Sequence, residues 1–304
     1  MKNSIKIQEK TGRVIPTVNF HFIEECNYRC VFCYANYPAN RKKEILSDDE
    51  KMALIEQIGK DGRFRKINFA GGEPFLYERL LDLVRCAKQH GLETSIVTNF
   101  SLLTQETLSK YVGYLDILGL SIDSLDPEIL IKHGRHEGSI PDDLQDNILA
   151  IAEFCHQNGI MVKVNTVVTQ ANRYEILAPF VNQLRAFRWK ILQVNIVPGL
   201  VPKKAYPLRV PEEEFYAYVE ANRPYIDSSK TEIVVETERL MQSSYLMINP
   251  YGEFEFRDDE NRLHQSRKIL EVGVEEALRE VHTDYQRFLE RGGEYRVSEV
   301  RAKG

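Results

Sequence analysis

The chain has 304 residues, 43% of them hydrophobic and 28% charged, with a formal net charge of −5. That length can bury a large α/β core, the charge balance offers no basic excess for general nucleic-acid binding, and no apolar run reaches the roughly 20 residues that span a bilayer. Met1 to Gly12 lacks the apolar centre of a secretory signal, so the expectation is a cytoplasmic protein in a reducing compartment.

Residues 1–17 form a polar N-terminal segment. Val18 to Glu24 alternates and is rich in aromatic and β-branched residues, which predicts the first strand. It runs directly into a loop carrying Cys26, Cys30 and Cys33 in C-x3-C-x2-C spacing. A polar stretch from Asn36 to Glu44 follows, and Ser47-Asp48-Asp49-Glu50 is a capping box for a helix to about Gly59. Lys66 to Ala70 predicts a second strand ending in Gly71-Gly72-Glu73-Pro74, then a helix from Tyr77 to His90 with Gly91 as its stop. Further strands are expected at Glu93–Thr98, Asp116–Ile122, Met161–Thr169 and Lys190–Val197. Helices are expected over Thr104–Tyr114, Asp143–Asn158 and Arg173–Phe187.

Such alternation implies βαβ units on a parallel sheet. Six units fall short of the eight of a closed barrel. The fold expected for residues 18–198 is therefore an α/β partial (β/α)6 barrel, open, with ligands at the carboxyl ends of its strands. Residues 199–304 read as an α+β extension that covers the barrel. It holds a helix at Glu212–Asn222 and short strands at Glu232–Val235, Tyr245–Asn249 and Glu253–Phe256. A last helix, Gly273–Glu290, precedes Arg291-Gly292-Gly293.

Three close thiolates favour zinc or an iron–sulfur cluster. A closed structural zinc site wants four ligands, whereas a [4Fe–4S] cluster on three cysteines keeps one iron open. His21 could complete a zinc knob, but it lies inside the predicted strand. Cys86 and Cys155 sit alone in helical patterns and read as small buried apolar residues. Gly71 and Gly72 let backbone approach a ligand, and Glu73 could receive an ammonium. Asn99, Ser121 and Arg135 fall at or beyond strand ends, where they could hold the polar parts of a cofactor. Lys163 and Asn165 share one strand face. With Lys66, Arg188 and Lys190 they put basic residues on three strands, and a buried ammonium needs an anionic partner. The pattern points to a polyanion such as a triphosphate.

C-x3-C-x2-C with Phe32 before its last cysteine, followed by Gly-Gly-Glu, is the signature of radical S-adenosylmethionine (SAM) enzymes. More specific matches are Asn19-Phe20-His21, Lys66-Ile67-Asn68-Phe69 with Gly71 to Phe75, Tyr114 to Leu118 and Arg188-Trp189-Lys190. Ser244-Tyr245-Leu246, Val272 to Ala277 and Arg291 to Gly293 continue the series, so that from Asn19 to Tyr295 the chain resembles the viperin family of nucleotide dehydratases.

The resemblance implies a [4Fe–4S] cluster on Cys26, Cys30 and Cys33 and SAM held by Gly71, Gly72, Glu73, Asn99, Ser121 and Arg135. It implies a ribonucleoside triphosphate (CTP, UTP or GTP) held by Lys66, Lys163, Asn165, Arg188 and Lys190, with Arg257 and Arg262 as further candidates. Tyr245 takes the place of a late proton or hydrogen-atom donor. The product would be the 3′-deoxy-3′,4′-didehydro nucleotide, a chain terminator in antiviral or antiphage defence. A flavodoxin- or ferredoxin-type reductant and a monomeric enzyme are expected, with no membrane or nucleic-acid partner. Ala70 replaces a serine of the vertebrate enzymes, and Glu236 to Gln242 departs from their base-contacting segment, which leaves the base open. Their amphipathic N-terminal helix and tryptophan-ended tail have no match here, so a microbial type is expected. The alternatives are another radical SAM enzyme acting on a peptide or small molecule, or a non-catalytic zinc-binding module; radical SAM enzymes of the first kind usually bring extra C-terminal cysteines, and none follows Cys155.

Overall fold

The computed structural model describes residues 17–33, 43–197 and 201–301. The expected N-terminal segment up to residue 16, most of the polar stretch before the first helix, and the expected domain boundary at 198/199 lie outside the described residues.

Ten strands form one sheet: β1 (Thr17–Ile23), β2 (Lys66–Gly71), β3 (Glu93–Thr98), β4 (Ile117–Ser121), β5 (Met161–Val168), β6 (Arg188–Gln193), β7 (Glu232–Glu236), β8 (Met247–Ile248), β9 (Glu253–Arg257) and β10 (Leu263–Lys268). Their order is β10-β9-β8-β1-β2-β3-β4-β5-β6-β7. β1 to β6 pair in parallel as expected, and β7 joins β6 and β8 joins β1 in parallel as well. The six expected parallel strands of the partial barrel thus gain one further parallel strand at each edge, and among the described residues no ladder joins β7 to β8. The segment expected only to cover the barrel supplies both edge strands. Asn19 of β1 pairs with Met247 of β8, a partner more than two hundred residues away, and β8 is two residues long. Neither fact leaves a local pattern to read.

Parity divides the strands into two faces. Val18, Phe20, Phe22, Ile67, Phe69, Leu118, Leu120, Val164, Trp189 and Ile191 are fully buried in the hydrophobic core, each contributing about 1.5–3 kcal/mol. Alternate residues, among them Asn68, Ser95, Lys163 and Arg188, are also buried, but polar. A barrel whose lumen is polar has been left unfilled for a ligand.

Local chemistry adjusted several helices. Ser47 caps the Asp48–Asp61 helix, its amide donating to Glu50 Oε2 at 2.8 Å, and the helix runs on to Gly62, which takes the left-handed conformation. The expected Arg173–Phe187 helix shortens to Ala178–Gln183 because Asn172 Oδ1 accepts the Thr169 amide at 2.7 Å and holds a turn there. An unexpected helix, Pro127–His133, starts on an Asp126 cap and stops at Gly134. Gly273–Glu290 breaks into Val274–Arg279 and Tyr285–Glu290, the second capped by Asp284, which accepts the Arg287 amide at 3.0 Å.

Candidate active site

The loop after β1 is clamped from two sides. The Gly72 amide donates to the Ile23 carbonyl at 2.7 Å and the Glu73 amide to Glu25 at 2.8 Å. A Cβ on Gly72 would collide with the Glu25 carbonyl. Opposite, the Arg29 amide donates to the Gly134 carbonyl at 3.1 Å and the Val31 amide to His133 at 2.9 Å. Phe32 stands edge-on to the His133 ring at 5.1 Å, and His133 Nε2 lies 2.8 Å from the Thr169 hydroxyl.

Between these clamps Cys26, Cys30 and Cys33 are half-buried. Arg135, paired with Asp123 at 3.0 Å, places Nη1 4.0 Å from Cys30 Sγ, and Asn99 Nδ2 lies 3.8 Å from Cys26 Sγ. Burial pushes the Cys30 thiol up to about 12, outweighing the pull of Arg135, and burial raises Cys26 too. A metal centre reverses that balance by deprotonating its thiols. Three soft sulfur donors with amide and guanidinium neighbours suit an iron–sulfur cluster. Among the described residues no three His, Cys, Asp or Glu side chains gather closely enough to hold one metal ion. His21 is buried on β1 and held down to about 4, chiefly by burial and next by the Arg257 charge.

The expected SAM-binding residues meet around this loop. Glu73 is buried; Oε1 accepts from the Thr98 hydroxyl at 2.6 Å and the Phe75 amide at 3.2 Å, and Oε2 from the Asn99 amide at 2.8 Å. Its carboxylate thus ties the exit of β2 to the exit of β3. Gly71 and Gly72 press against residues 21–25. The close approach that the two glycines permit is one backbone segment against another. Ser121 ends β4, and its carbonyl accepts from Arg135. Asn99 Nδ2 also donates to Asn27 Oδ1 at 2.9 Å.

A second cluster occupies the amino halves of the same strands. A cavity is lined by Lys66, Lys163, Arg188, Lys190 and Arg291, with Glu236 its one carboxylate among the described residues. Sheet register sets the cations side by side: Lys163 pairs with Arg188 and Asn165 with Lys190. Lys66 Nζ lies 3.3 Å from Glu93, 3.1 Å from the Tyr295 carbonyl and 3.4 Å from the Tyr295 ring centroid. Arg188 lies 4.3 Å from that centroid and donates to the Gly292 carbonyl. Lys190 is 2.7 Å from Glu236 and donates to the Tyr245 hydroxyl, which donates to Glu236. Arg291 is 3.2 Å from Glu236 and 3.7 Å from the Tyr245 centroid.

Lys163 differs from its neighbours. It is 8% exposed and has neither hydrogen bond nor ion pair among the described residues. Burial, then Lys190, Arg188 and Lys66, hold its ammonium well below the ordinary lysine range. Burial also brings Lys66 and Lys190 down to about 8. Asn165 Oδ1 and Ser95 Oγ are buried without hydrogen-bond partners among the described residues. The site is short of an anion.

This cavity lies toward the amino ends of the strands, whereas the cysteine loop lies at their carboxyl ends. The polar parity of β1, β2, β5 and β6 makes that depth available. Arg257 is buried near His21 and does not line the cavity. Arg262 is exposed, 2.8 Å from Asp258 and paired also with Glu260. Sequence reasoning missed Glu236 as a lining group, and it noted Arg291 only within a motif. Tyr295 was noted only as the end of the resemblance.

The Radical SAM superfamily matches residues 20–173. An S-adenosylmethionine-dependent nucleotide dehydratase of Flammeovirga pacifica is 37% identical, covering 93% of this chain and 97% of that protein. Another of the same description, from Lacinutrix mariniflava, is 38% identical over 92% of this chain; the chain spans 58% of its length. Streptococcus suis SuiB bound to S-adenosylmethionine superposes with a TM-score of 0.61 at 18% identity, over 79% of this chain and 60% of that one, a likeness of fold.

Proposed function

Since the chain belongs to the radical SAM superfamily and, within it, to the S-adenosylmethionine-dependent nucleotide dehydratases, we propose that it converts a ribonucleoside triphosphate (CTP, UTP or GTP) to the 3′-deoxy-3′,4′-didehydro analogue, a chain terminator for antiviral or antiphage defence. When bound, the [4Fe–4S] cluster and SAM supply the 5′-deoxyadenosyl radical that takes the ribose 4′ hydrogen. Cys26, Cys30 and Cys33 would hold the cluster. Asn99 and Arg135 would flank its sulfurs, and with Gly71, Gly72, Glu73 and Ser121 would shape the SAM side. Lys66, Lys163, Asn165, Arg188 and Lys190 would hold the triphosphate.

The observation that carries this reading is the polarity of one barrel: thiols at one end, five cations at the other. Lys66 to Gly71 spans β2, roughly 16 Å at the usual strand rise. A ligand must reach from the cations toward the thiol end, which favours a triphosphate over a monophosphate. Departure of the 3′-hydroxyl as water takes one proton, and an electron from a flavodoxin- or ferredoxin-type donor completes the product. The Tyr245 hydroxyl accepts from Lys190 and donates to Glu236, an arrangement able to hold and pass a proton.

We place the enzyme in the cytoplasm as a monomer; among the described residues no helix is long and apolar enough to cross a membrane. The test is anaerobic incubation of reduced enzyme and SAM with each ribonucleoside triphosphate. The expected result is 5′-deoxyadenosine together with a nucleotide lighter by one water. Release of 5′-deoxyadenosine that is indifferent to every triphosphate overturns the proposal.

A further inference from the structure

We infer that the cavity takes its triphosphate as the metal-free anion, and that magnesium competes with the enzyme for substrate. The inference rests on the nucleotide reading above and adds the form in which the nucleotide binds. Magnesium held with a nucleotide is usually shared between its phosphates and one or two protein carboxylates. Among the described residues Glu236 is the only carboxylate lining the cavity, and both of its oxygens are engaged. Oε1 takes Lys190 at 2.7 Å and Arg291 at 3.2 Å, and Oε2 takes the Tyr245 hydroxyl. Glu93 and Glu232 face Lys66 and Arg188 from outside the lining and are themselves partly or largely exposed.

Charge leads to the same answer. Five cationic side chains against one carboxylate leave the protonated lining four positive charges in excess, offset only from outside it by Glu93, 3.3 Å from Lys66, and the largely exposed Glu232, 3.5 Å from Arg188. A triphosphate near neutral pH brings about four negative charges, whereas its magnesium complex brings about two and adds a dication. That dication would sit beside Lys163, a buried side chain with no ion pair among the described residues. The protein's own cations do the work that magnesium does in carboxylate-lined sites.

The test uses the full-length chain, reconstituted with its cluster and SAM but given no reductant, so that nothing turns over. CTP, UTP, GTP and inorganic tripolyphosphate are each titrated calorimetrically in EDTA and in rising magnesium, with ionic strength held constant by a monovalent salt. The apparent Kd should rise about tenfold for each tenfold increase in free magnesium above the dissociation constant of the magnesium–phosphate complex, as mass action requires. Binding that needs magnesium, or tightens with it, overturns the inference while leaving the nucleotide reading standing. An affinity unchanged by magnesium also overturns it. Failure of every nucleotide to bind in EDTA and in magnesium alike takes down both.

Discussion

Lys163→Met separates the two roles of one side chain by sign. In the free enzyme the Lys163 amine is buried and feels Lys66, Arg188 and Lys190 more strongly than the Glu236 carboxylate, with no ion pair of its own among the described residues. An uncompensated buried polar group costs about 1–3 kcal/mol, so a thioether of similar volume should stabilise the fold by that order. For a chain of this length the rise is roughly 2–5 °C in Tm. The bound triphosphate, by contrast, loses one charge-assisted hydrogen bond, about 1.5–3 kcal/mol, which is roughly a 10- to 150-fold weaker Kd. Anaerobic calorimetry of both proteins without nucleotide gives the first quantity, and titration with CTP or UTP in EDTA the second. Iron content should not change. A variant that melts lower than the parent, or that binds triphosphate as well, refutes the assignment of Lys163 as an ammonium waiting for its anion.

The other outcomes follow from the same groups. Glu236→Gln leaves Lys190 and Arg291 facing a neutral amide and should destabilise the free enzyme by about 3–5 kcal/mol; saturating triphosphate should raise its Tm more than it raises the parent's. Lys66 and Lys190 titrate near 8 in the folded chain, against 10.5 for an unperturbed lysine. Between those values the unfolded chain binds more protons, so stability of the free enzyme should rise with pH across that window. Triphosphate favours the charged lysines, so its affinity should fall above about pH 8, and titrations in buffers of different ionisation enthalpy should show proton uptake. Gly134→Ala puts a Cβ into the Arg29 carbonyl at a residue with φ +71°. It should cost cluster occupancy, read as iron per chain, whereas Cys155→Ala should cost stability and leave iron unchanged.

Much of the fold was legible because it is local. The periodicity of β1 to β6, the Ser47 capping box and the thiol spacing are each contained in a few consecutive residues. What escaped depends on distance along the chain. β7 and β8 become barrel strands only by pairing with β6 and β1, and the run through Glu280 to Asp284 breaks a helix that periodicity alone would continue. The same division runs through the site. Lys163 and Asn165 could be set on one face by parity, and Lys66, Arg188 and Lys190 joined them by charge. Arg257 and Arg262 were equally basic, yet one lies buried by His21 and the other pairs with Asp258. Charge without parity does not locate a side chain.

Parity, applied to every strand at once, would have found more. Thr17 and Asn19, Lys66 and Asn68, Lys163 and Asn165, and Arg188 and Lys190 each repeat a polar residue at a spacing of two, while the residues between them are apolar. A parallel strand buried on both faces should be apolar throughout. Four strands that each keep one polar face therefore demand a polar lumen, and so a ligand to fill it. The cations then select that ligand's charge, and the Cys26–Cys33 loop at the far end of the strands selects the chemistry that reaches it. Glu236 is the exception that sharpens the point. It is an acid placed among cations, and its hydrogen bonds to Lys190, Arg291 and Tyr245 hold three of the lining groups in place before any substrate arrives. A cavity built only to attract phosphate would gain from losing that carboxylate; one built to orient a tyrosine hydroxyl beside the phosphates would not. The two cases part in Glu236→Gln enzyme, with Kd taken from titration below its unfolding temperature and turnover measured at saturating nucleotide. If binding improves and turnover is unchanged, Glu236 serves only to balance charge. If binding improves and turnover falls, it positions Tyr245.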